Sequence, residues 1–223
     1  MEMDKDLKIP FEWENRRPIL LEKCLYLPSH YQGDGHLGQG LWKEVFDKEQ
    51  PLAVEFCSGN GQWIANVAQS APHLNWIAVE KDFYRARKIW LRRQREKISN
   101  LFVVCGEALA FSRLYLPDHC IEDAWVNFPD PWPKRPHAKH RLIQKPFADE
   151  LKRILKPRST ITLVTDDARY SGQMVDVFSP WMSTFAPSRF VTELSGYGTS
   201  YFHSLWSQKQ RTIHYHRFYH ADQ

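Results

Sequence analysis

Short apolar runs of strand length alternate with stretches of helical periodicity over most of the chain. The strand patterns fall at 52–56, 75–79, 101–105, 121–128, 159–165, 190–194 and 211–218. The helical patterns fall at 61–70, 82–98, 139–155 and 167–178. Because strands that alternate with helices form parallel sheets with crossover connections, the pattern predicts an α/β fold. We expect a mainly parallel sheet with helices on both faces.

The first fifty residues lack this alternation, and their one helical pattern lies at 40–46. With 223 residues, the chain is long enough for one sizeable core and short for two domains. We therefore divide it into a partly irregular N-terminal extension at 1–50 and a single domain at 51–223.

Composition limits the class of protein. The chain is 43% hydrophobic and 25% charged, which excludes gross disorder. No apolar run is long enough to span a bilayer, and the first residues lack the pattern of a secretory signal. The four cysteines show no C-x-x-C spacing. We expect reduced thiols, a cytoplasmic protein and no membrane partner.

Acidic residues lie at the ends of the first three predicted strands, and a glycine turn follows the first strand. Glu55 precedes Gly59 and Gly61, Glu80 ends the second strand, and Glu107 follows the third. Ligands of open α/β sheets bind outside the carboxyl ends of the strands. A glycine turn that enters a helix, with an acid about 20 residues further on, is typical of nucleoside cofactor sites. Glu55 would repel a pyrophosphate and attract a sulfonium group, which favours S-adenosylmethionine over NAD.

A proline-rich loop follows the strand at 121–128. Proline fixes φ and disfavours helix in the residue before it, so Asp130 should be held rigidly between Pro129 and Pro131. Such a loop suits the placement of a charge at a site. Trp132 could line a pocket or stack on a base, or it could pack in the core. The cations that follow predict a polyanionic partner and are Lys134, Arg135, Lys139, Arg141 and Lys145.

This stretch resembles the strand-end signature of the bacterial single-chain tRNA (guanine-N7)-methyltransferase family. The matching residues are Pro129-Asp130-Pro131-Trp132-Pro133-Lys134, then His137, Lys139, Arg141 and Leu142. The resemblance covers about 51–217. It implies a Rossmann-like class I S-adenosylmethionine-dependent methyltransferase fold, with tRNA as the substrate. The methylated atom would be N7 of the variable-loop guanosine at position 46 of the tRNA.

The resemblance also implies roles for individual residues. Cofactor binding falls to Glu55, Glu80, Glu107 and Asp130, beside Gly59 and Gly61 of the glycine turn. Substrate binding falls to Lys134, Asp166, Ser200 and His203. RNA binding falls to Arg135, His137, Lys139 and Arg141.

Three positions depart from the family pattern. Cys57 replaces the first glycine of the turn, Glu107 replaces an aspartate, and His203 replaces a glutamate. Asp166 has an alternative interpretation as the N-cap of the following helix.

Asp130 is the position that the family counts as catalytic. Guanine N7 carries a lone pair and no proton, so its methylation needs no general base. We therefore expect Asp130 to stabilise the cation that forms on the base, without accepting a proton.

Further polar residues leave alternatives open. A helical stripe could meet the phosphate backbone or could be an ordinary solvated face, and it consists of Arg85, Lys88, Arg92 and Arg95. His214 and His216 share one strand face, but no third ligand has suitable spacing, so we expect no metal. The oligomeric state stays open between a monomer and a homodimer.

Three other functions compete with the leading one. They are a methyltransferase that acts on an exocyclic amine of a base, an RNA-binding protein on the same fold without turnover, and a nicotinamide oxidoreductase. The proline loop lacks the paired prolines of the exocyclic-amine motif. Glu55 and the cationic surface disfavour the oxidoreductase.

Overall fold

The computed structural model describes residues 17–28 and 41–220. The chain divides into two compact units, Met1–Pro117 and Asp118–Gln223. None of the helices in the described part is long and apolar enough to cross a membrane.

The first unit is an α/β layer with a mostly parallel sheet. Its elements are β1 (Ile19–Leu21), β2 (Cys24–Tyr26), α1 (Leu41–Val45), β3 (Leu52–Phe56), α2 (Gln62–Ser70), β4 (Asn75–Glu80), α3 (Phe83–Arg95), β5 (Leu101–Cys105) and α4 (Ala108–Tyr115). The strand order is β1-β2-β5-β4-β3, and only the β1–β2 pair among these is antiparallel. The predicted strands β3, β4 and β5 and helices α2 and α3 are confirmed.

The N-terminal segment takes part in this sheet. Its strand β2 pairs with β5, and Leu27 N donates to the Cys105 carbonyl at 2.8 Å. The pattern had predicted only the short helix α1 in this region, because strands of three residues are too short to show a period of two. The predicted boundary at residue 50 stays a prediction. The glycine-rich part at 33–40 lies outside the described residues.

The second unit mixes parallel and antiparallel pairing. Its elements are β6 (Ile121–Asn127), a 3₁₀ helix (Arg135–His140), α5 (Lys145–Ile154), β7 (Leu155–Thr165), α6 (Ala168–Val177), β8 (Met182–Ser183), α7 (Tyr201–Gln208) and β9 (His214–Tyr219). The strand order is β6-β7-β9-β8. The β6–β7 pair is parallel, and the pairs that involve β9 are antiparallel.

The predicted helix at 139–155 is wrong in its first part. The chain forms the 3₁₀ helix first, and α5 begins only at Lys145. Pro146 explains the break, because proline lacks an N–H and disfavours helix in the preceding residue. The Gln144 side chain then donates to the carbonyls of Lys139 and Arg141 at 2.9 and 2.7 Å.

Two other boundaries differ from the prediction. The predicted strand at 190–194 is wrong, since only Val191 bridges to Tyr215 of β9. Strand β7 begins four residues early, at Leu155, and contains Pro157. The register shifts between Ile121 and Asp123 of the partner strand, and proline is tolerated at such irregularities.

Parallel pairing brings the strand ends to common edges within each unit. Phe56 of β3 pairs with Val79 of β4, and Glu80 pairs with Cys105 of β5. In the second unit Asn127 of β6 pairs with Val164 of β7. The residues after each of these strands therefore lie close to those after its neighbour.

His216 is a buried, structural histidine of β9. Its side chain is 0% exposed, Nδ1 lies 3.1 Å from the Arg189 carbonyl, and Nε2 lies 3.0 Å from Ser171 Oγ. A carbonyl can only accept, so Nδ1 carries the proton and Nε2 accepts from the serine. Burial lowers the pKa of His216 to about 4. Among the described residues no cluster of His, Cys, Asp or Glu could hold a metal ion.

We predict that His216 makes the protein acid-sensitive. Its pKa is about 4 when folded and about 6.5 when unfolded, so its contribution is complete above pH 6.5 and is lost as the pH falls towards 4. The loss amounts to about 3 kcal/mol in the free energy of unfolding. Urea unfolding of the wild type and His216→Asn between pH 4 and 7 measures it. The pH slope should flatten in His216→Asn and stay unchanged in the exposed control His73→Asn.

Candidate active site

The turn after β3 is built from residues with left-handed backbones. Cys57, Gly59 and Gly61 have φ values of 62°, 57° and 75°. Ser58 fixes the turn, because its N–H donates to the Val79 carbonyl at 3.1 Å and its hydroxyl to the Glu55 carbonyl at 2.9 Å. The turn leads into α2, whose N-cap Gly61 has no side chain to occupy the first N–H groups. Asn60 Oδ1 accepts from the first of them, Gln62 N, at 3.3 Å, and the positive end of the helix macrodipole favours an anionic ligand nearby.

Gly61 also sets the distance between the turn and α3. A Cβ at this position would lie 2.7 Å from Ile89 Cγ1. Any other residue would force the two segments apart, which is a second reason for glycine here.

Glu80 is the buried acid at the centre of this region. Its side chain is 4% exposed, Oε2 accepts from Gly59 N at 2.8 Å, and Oε1 accepts from Asp82 N at 2.9 Å. Burial raises the pKa of Glu80, and the two backbone N–H groups oppose that rise. A carboxylate has about four acceptor positions, so Glu80 can hold the glycine turn and still accept from a ribose diol.

The other two predicted cofactor acids of the first unit lie in different environments. Glu55 is 1% exposed within β3. Glu107 is exposed at the N-cap of α4, and its side chain makes no capping bond. The register of β3, β4 and β5 brings Glu80 and Glu107 to the same edge as the glycine turn. The residues of this edge fit S-adenosylmethionine, since they offer a buried acid for hydroxyls and a helix N-terminus for a carboxylate.

The proline loop of the second unit presents Asp130 at the surface. Asp130 is exposed, and Phe128 and Trp132 on either side have φ values of 48° and 41°. A positive φ is rare for large side chains and marks local strain, which often accompanies function. The loop remains attached to β7, because Phe128 N donates to the Val164 carbonyl at 2.9 Å.

Trp132 packs against the 3₁₀ helix and not in the core. It is half-buried, and its ring centroid lies 5.9 Å from that of His137 and 5.3 Å from that of His140. The two imidazoles are themselves 6.3 Å apart. The core-packing alternative for Trp132 is therefore wrong.

The predicted RNA-binding residues fall into two groups. Three of them are exposed on the 3₁₀ helix, namely Arg135, His137 and Lys139, and the predicted substrate-binding Lys134 is exposed directly before it. Arg141 is different, because it is half-buried and its Nε donates to the Pro131 carbonyl at 2.6 Å.

Asp166 is held by an arginine. It forms an ion pair with Arg211, and its side chain is only 9% exposed. The guanidinium of Arg211 lies 4.2 Å from the ring centroid of Trp206. The N-cap alternative for Asp166 is wrong, because Asp167 caps α6 through a 2.8 Å bond from Tyr170 N.

Ser200 and His203 lie at the start of α7. Ser200 is its N-cap and accepts from His203 N at 3.0 Å. Burial lowers the pKa of His203, so this imidazole is neutral near pH 7. Its ring lies 5.3 Å from Tyr197, whose hydroxyl donates to Asn127 Oδ1 at 3.1 Å. Tyr197 thus connects His203 to the end of β6, directly before the proline loop.

The cationic stripe of α3 is divided. Arg92 and Arg95 both pair with Glu96, at 3.5 and 3.0 Å. Arg85 and Lys88 are exposed and form no ion pair within the described part of the chain. The C-terminal half of the stripe is therefore ion-paired within the helix, and contact of the stripe with a phosphate backbone stays a prediction.

Sequence reasoning missed several residues that shape the site. Tyr197 lies in a segment without clear periodicity, Arg211 begins the predicted strand at 211–218, and Gln173 lies within α6. A polar residue within a predicted helix carries no signal of its own. Only contacts distant in sequence reveal these roles.

Solved structures with the same fold are methyltransferases. An S-adenosylmethionine-dependent methyltransferase from Aquifex aeolicus has a TM-score of 0.52 and 13% identity, covering 81% of this chain and 87% of the other. A 30S ribosomal A1408 methyltransferase from an uncultured bacterium has a TM-score of 0.53 and 12% identity, with coverage of 84% and 94%. The fold is that of the Rossmann-like class I S-adenosylmethionine-dependent methyltransferases.

Sequence comparison narrows this class. A family model described as putative methyltransferase matches residues 49–213. The tRNA (guanine-N(7)-)-methyltransferase of Chlamydia felis is 40% identical over 214 residues, 96% of each chain. That of Chlamydia trachomatis is 39% identical over 210 residues, 94% of each. The chain belongs to the tRNA (guanine-N7)-methyltransferase family.

We predict that Glu80→Gln weakens both the glycine turn and the cofactor site. An amide nitrogen cannot accept from Gly59 N or Asp82 N, so one of the two buried N–H groups loses its acceptor. The affinity for S-adenosylmethionine should fall by about 1–3 kcal/mol, the range for a hydrogen bond to a charged group. Calorimetric titration measures it, with the surface variant Glu96→Gln as the control. Wild-type affinity in a folded Glu80→Gln would exclude Glu80 from the site.

We predict that the left-handed backbone of Cys57 costs stability. Two variants remove the thiol, but only Cys57→Gly removes the Cβ that opposes a φ of 62°. Cys57→Gly should be more stable than Cys57→Ala by about 1 kcal/mol, since the left-handed region costs roughly 1–2 kcal/mol for other residues. Urea denaturation compares the pair. Equal stabilities would mean that the turn accommodates the Cβ without strain.

Proposed function

We propose that this protein transfers the methyl group of S-adenosylmethionine to N7 of a guanosine in tRNA, at the variable-loop guanosine. Family membership supports the reaction. The observation that carries the proposal is the proline loop, which holds an exposed carboxylate, Asp130, directly before a group of exposed cations. A carboxylate beside cations suits a substrate that is polyanionic overall and becomes locally positive during the reaction.

The first unit supplies the cofactor site in this proposal. Bound S-adenosylmethionine supplies an electrophilic methyl group on a sulfonium. Glu80 accepts from the ribose hydroxyls, the N-terminus of α2 attracts the amino-acid carboxylate, and Glu107 lies at the same strand edge. A carboxylate at Glu55 favours a cationic ligand.

The chemistry at the base needs charge stabilisation and no proton acceptor. The lone pair of N7 lies in the ring plane, and methylation leaves a positive charge on the imidazole part of guanine. The carboxylate of Asp130 stabilises that charge as it develops, and the proline loop fixes its position. No metal is required, because no water or hydroxyl has to be activated.

Exposed cations bind the tRNA backbone in this proposal. Lys134, Arg135 and Lys139 contact phosphates, together with Arg85 and Lys88 of α3. Trp132 and His137 offer aromatic faces on which an unstacked base could rest. We place the reaction in the cytoplasm.

One of the groups that read the base edge, His203, differs from the family pattern. Asp166 keeps its charge balanced by Arg211, and His203 is a neutral imidazole in place of a carboxylate. A neutral imidazole offers one donor and one acceptor to the base. We infer that Asp166, Ser200 and His203 form the substrate side of the site.

The decisive experiment identifies the methylated nucleoside. The protein is incubated with unmodified tRNA and labelled S-adenosylmethionine, and the digested RNA is separated and sequenced. Label in 7-methylguanosine of the variable loop supports the proposal. Label on an exocyclic amine would establish the competing methyltransferase, and tRNA binding without label would establish a protein without turnover. A tRNA with adenosine at the target position is the matched control.

We predict that Asp130→Asn lowers the single-turnover rate by about 10²–10³. The amide keeps the shape of the side chain and removes the charge that stabilises the methylated base. Affinities for tRNA and S-adenosylmethionine should change far less. Quenched-flow methyl transfer at saturating concentrations measures the rate, with Asp149→Asn of α5 as the control.

Added bases discriminate between two roles of Asp130. An electrostatic role predicts that imidazole or formate does not restore the rate of Asp130→Asn. Restoration would show that Asp130 accepts a proton. Full activity of the variant would remove Asp130 from the centre of the site.

A further inference from the structure

An arginine links the Asp130 loop to the rest of its unit, in addition to the bond from Phe128 N to the Val164 carbonyl. Arg141 Nε donates to the carbonyl of Pro131, the residue directly after Asp130, at 2.6 Å. The loop has few backbone hydrogen-bond donors, because Pro129, Pro131 and Pro133 lack N–H groups. A strong bond from a charged donor to this loop therefore has a large effect on its position.

Arg141 is itself fixed from helix α6. Its Nη1 donates to Gln173 Oε1 at 2.6 Å, and its guanidinium carbon lies 4.9 Å from the ring centroid of Tyr170. Tyr170 is 0% exposed. The planar guanidinium thus spans the distance between a loop carbonyl and a helix amide while one face lies on a buried ring.

A second layer of hydrogen bonds holds these partners. Gln173 Nε2 donates to the Ile143 carbonyl at 2.7 Å, and Ile143 N donates to the Tyr170 hydroxyl at 3.0 Å. The Arg141 carbonyl accepts from Gln144 at 2.7 Å. The side chains of Gln173 and Tyr170, which contact Arg141, are therefore themselves held by hydrogen bonds, as a rigid site requires.

We propose that Arg141 is a positioning residue, which holds Asp130 through the Pro131 carbonyl and does not act as a phosphate contact. The cation run of the sequence then contains two kinds of residue. The exposed ones, such as Lys139, meet RNA, and Arg141 forms the joint between the proline loop and α6. This inference rests on the proposed methyl transfer for its kinetic test.

Lysine separates the two roles. A phosphate contact depends mainly on positive charge, which Arg141→Lys retains. The joint depends on the planar guanidinium, which donates to the Pro131 carbonyl and to Gln173 at once. A single ammonium group does not reproduce both bonds. The joint is also broken when Gln173, the partner of Arg141 on α6, is replaced without any change in charge, as in Gln173→Leu.

The experiment measures single-turnover methyl transfer at saturating tRNA and cofactor, and tRNA affinity at several salt concentrations. Arg141→Lys and Gln173→Leu should each lower the rate about tenfold or more, because small displacements of a positioned group reduce rates strongly. The dependence of log Kd on log salt should remain that of the wild type. The double variant should be little worse than either single one, since both remove the same joint.

Lys139→Gln supplies the comparison for a phosphate contact, with a salt dependence that flattens by about one unit. Two results would overturn the proposal. One is a wild-type rate in both Arg141→Lys and Gln173→Leu. The other is a wild-type rate in Arg141→Lys together with a flattened salt dependence in Arg141→Gln.

A structural measurement keeps the inference independent of the reaction. Trp132 belongs to the same loop, so its ¹⁹F resonance in protein labelled with 5-fluorotryptophan reports the loop position without RNA. The resonance, assigned through Trp132→Phe, should shift or broaden in both Arg141→Lys and Gln173→Leu and remain unchanged in Lys139→Gln. If the wild type does not methylate tRNA, the proposed function fails while this signal still tests the joint. An unchanged resonance in a folded Gln173→Leu contradicts the joint even where Arg141 variants do not fold.

Discussion

The Glu80 carboxylate is the constraint on which the cofactor side of this protein depends. Its two oxygens accept from the N–H groups of Gly59 and Asp82. One side chain therefore fixes both the glycine turn and Asp82, the residue directly before α3. Asp82 in turn caps α3 through a 2.9 Å bond from Arg85 N. The start of this helix and the shape of the turn are thus set together, and α3 can approach Gly61 closely through Ile89. Burial at 4% exposure raises the pKa of Glu80, and both bonds oppose that rise because they favour the ionised form.

Positive φ values at residues other than glycine occur in both loops that carry the proposed chemistry. Cys57 lies in the glycine turn, and Phe128 and Trp132 lie on either side of Asp130. Such conformations persist only where surrounding contacts determine them. Ser58 supplies those contacts in the turn, and the Pro131 carbonyl receives them in the proline loop. The shape of each loop is therefore determined by bonds to neighbouring segments.

The sequence predicted the parts of the fold that depend on local pattern. Strand β3 is a run of five buried residues and Asp82 is a typical N-cap, so each has a signal within a few positions. The short strand β2 could not be predicted, because it is ordered by pairing with β5, more than seventy positions away. Prediction of the candidate site has the same limit. The sequence identified Asp130 through its prolines, but it could not distinguish Arg141 from Lys139, because the difference lies in Gln173 of a later helix.

The cations of this chain differ in whether a partner within the protein occupies them, and that difference limits what a count of cations can reveal. Among the arginines with such partners are Arg141, held by a carbonyl and an amide, Arg92, paired with Glu96, and Arg211, paired with Asp166. The planar guanidinium suits such positions because it donates along several fixed directions. Lys134 and Lys139 are exposed instead, and a mobile ammonium group suits a phosphate backbone whose geometry varies along the RNA. A run of like charges therefore contains residues that hold the structure together and residues that bind a ligand. Only the contacts of each side chain distinguish the two kinds.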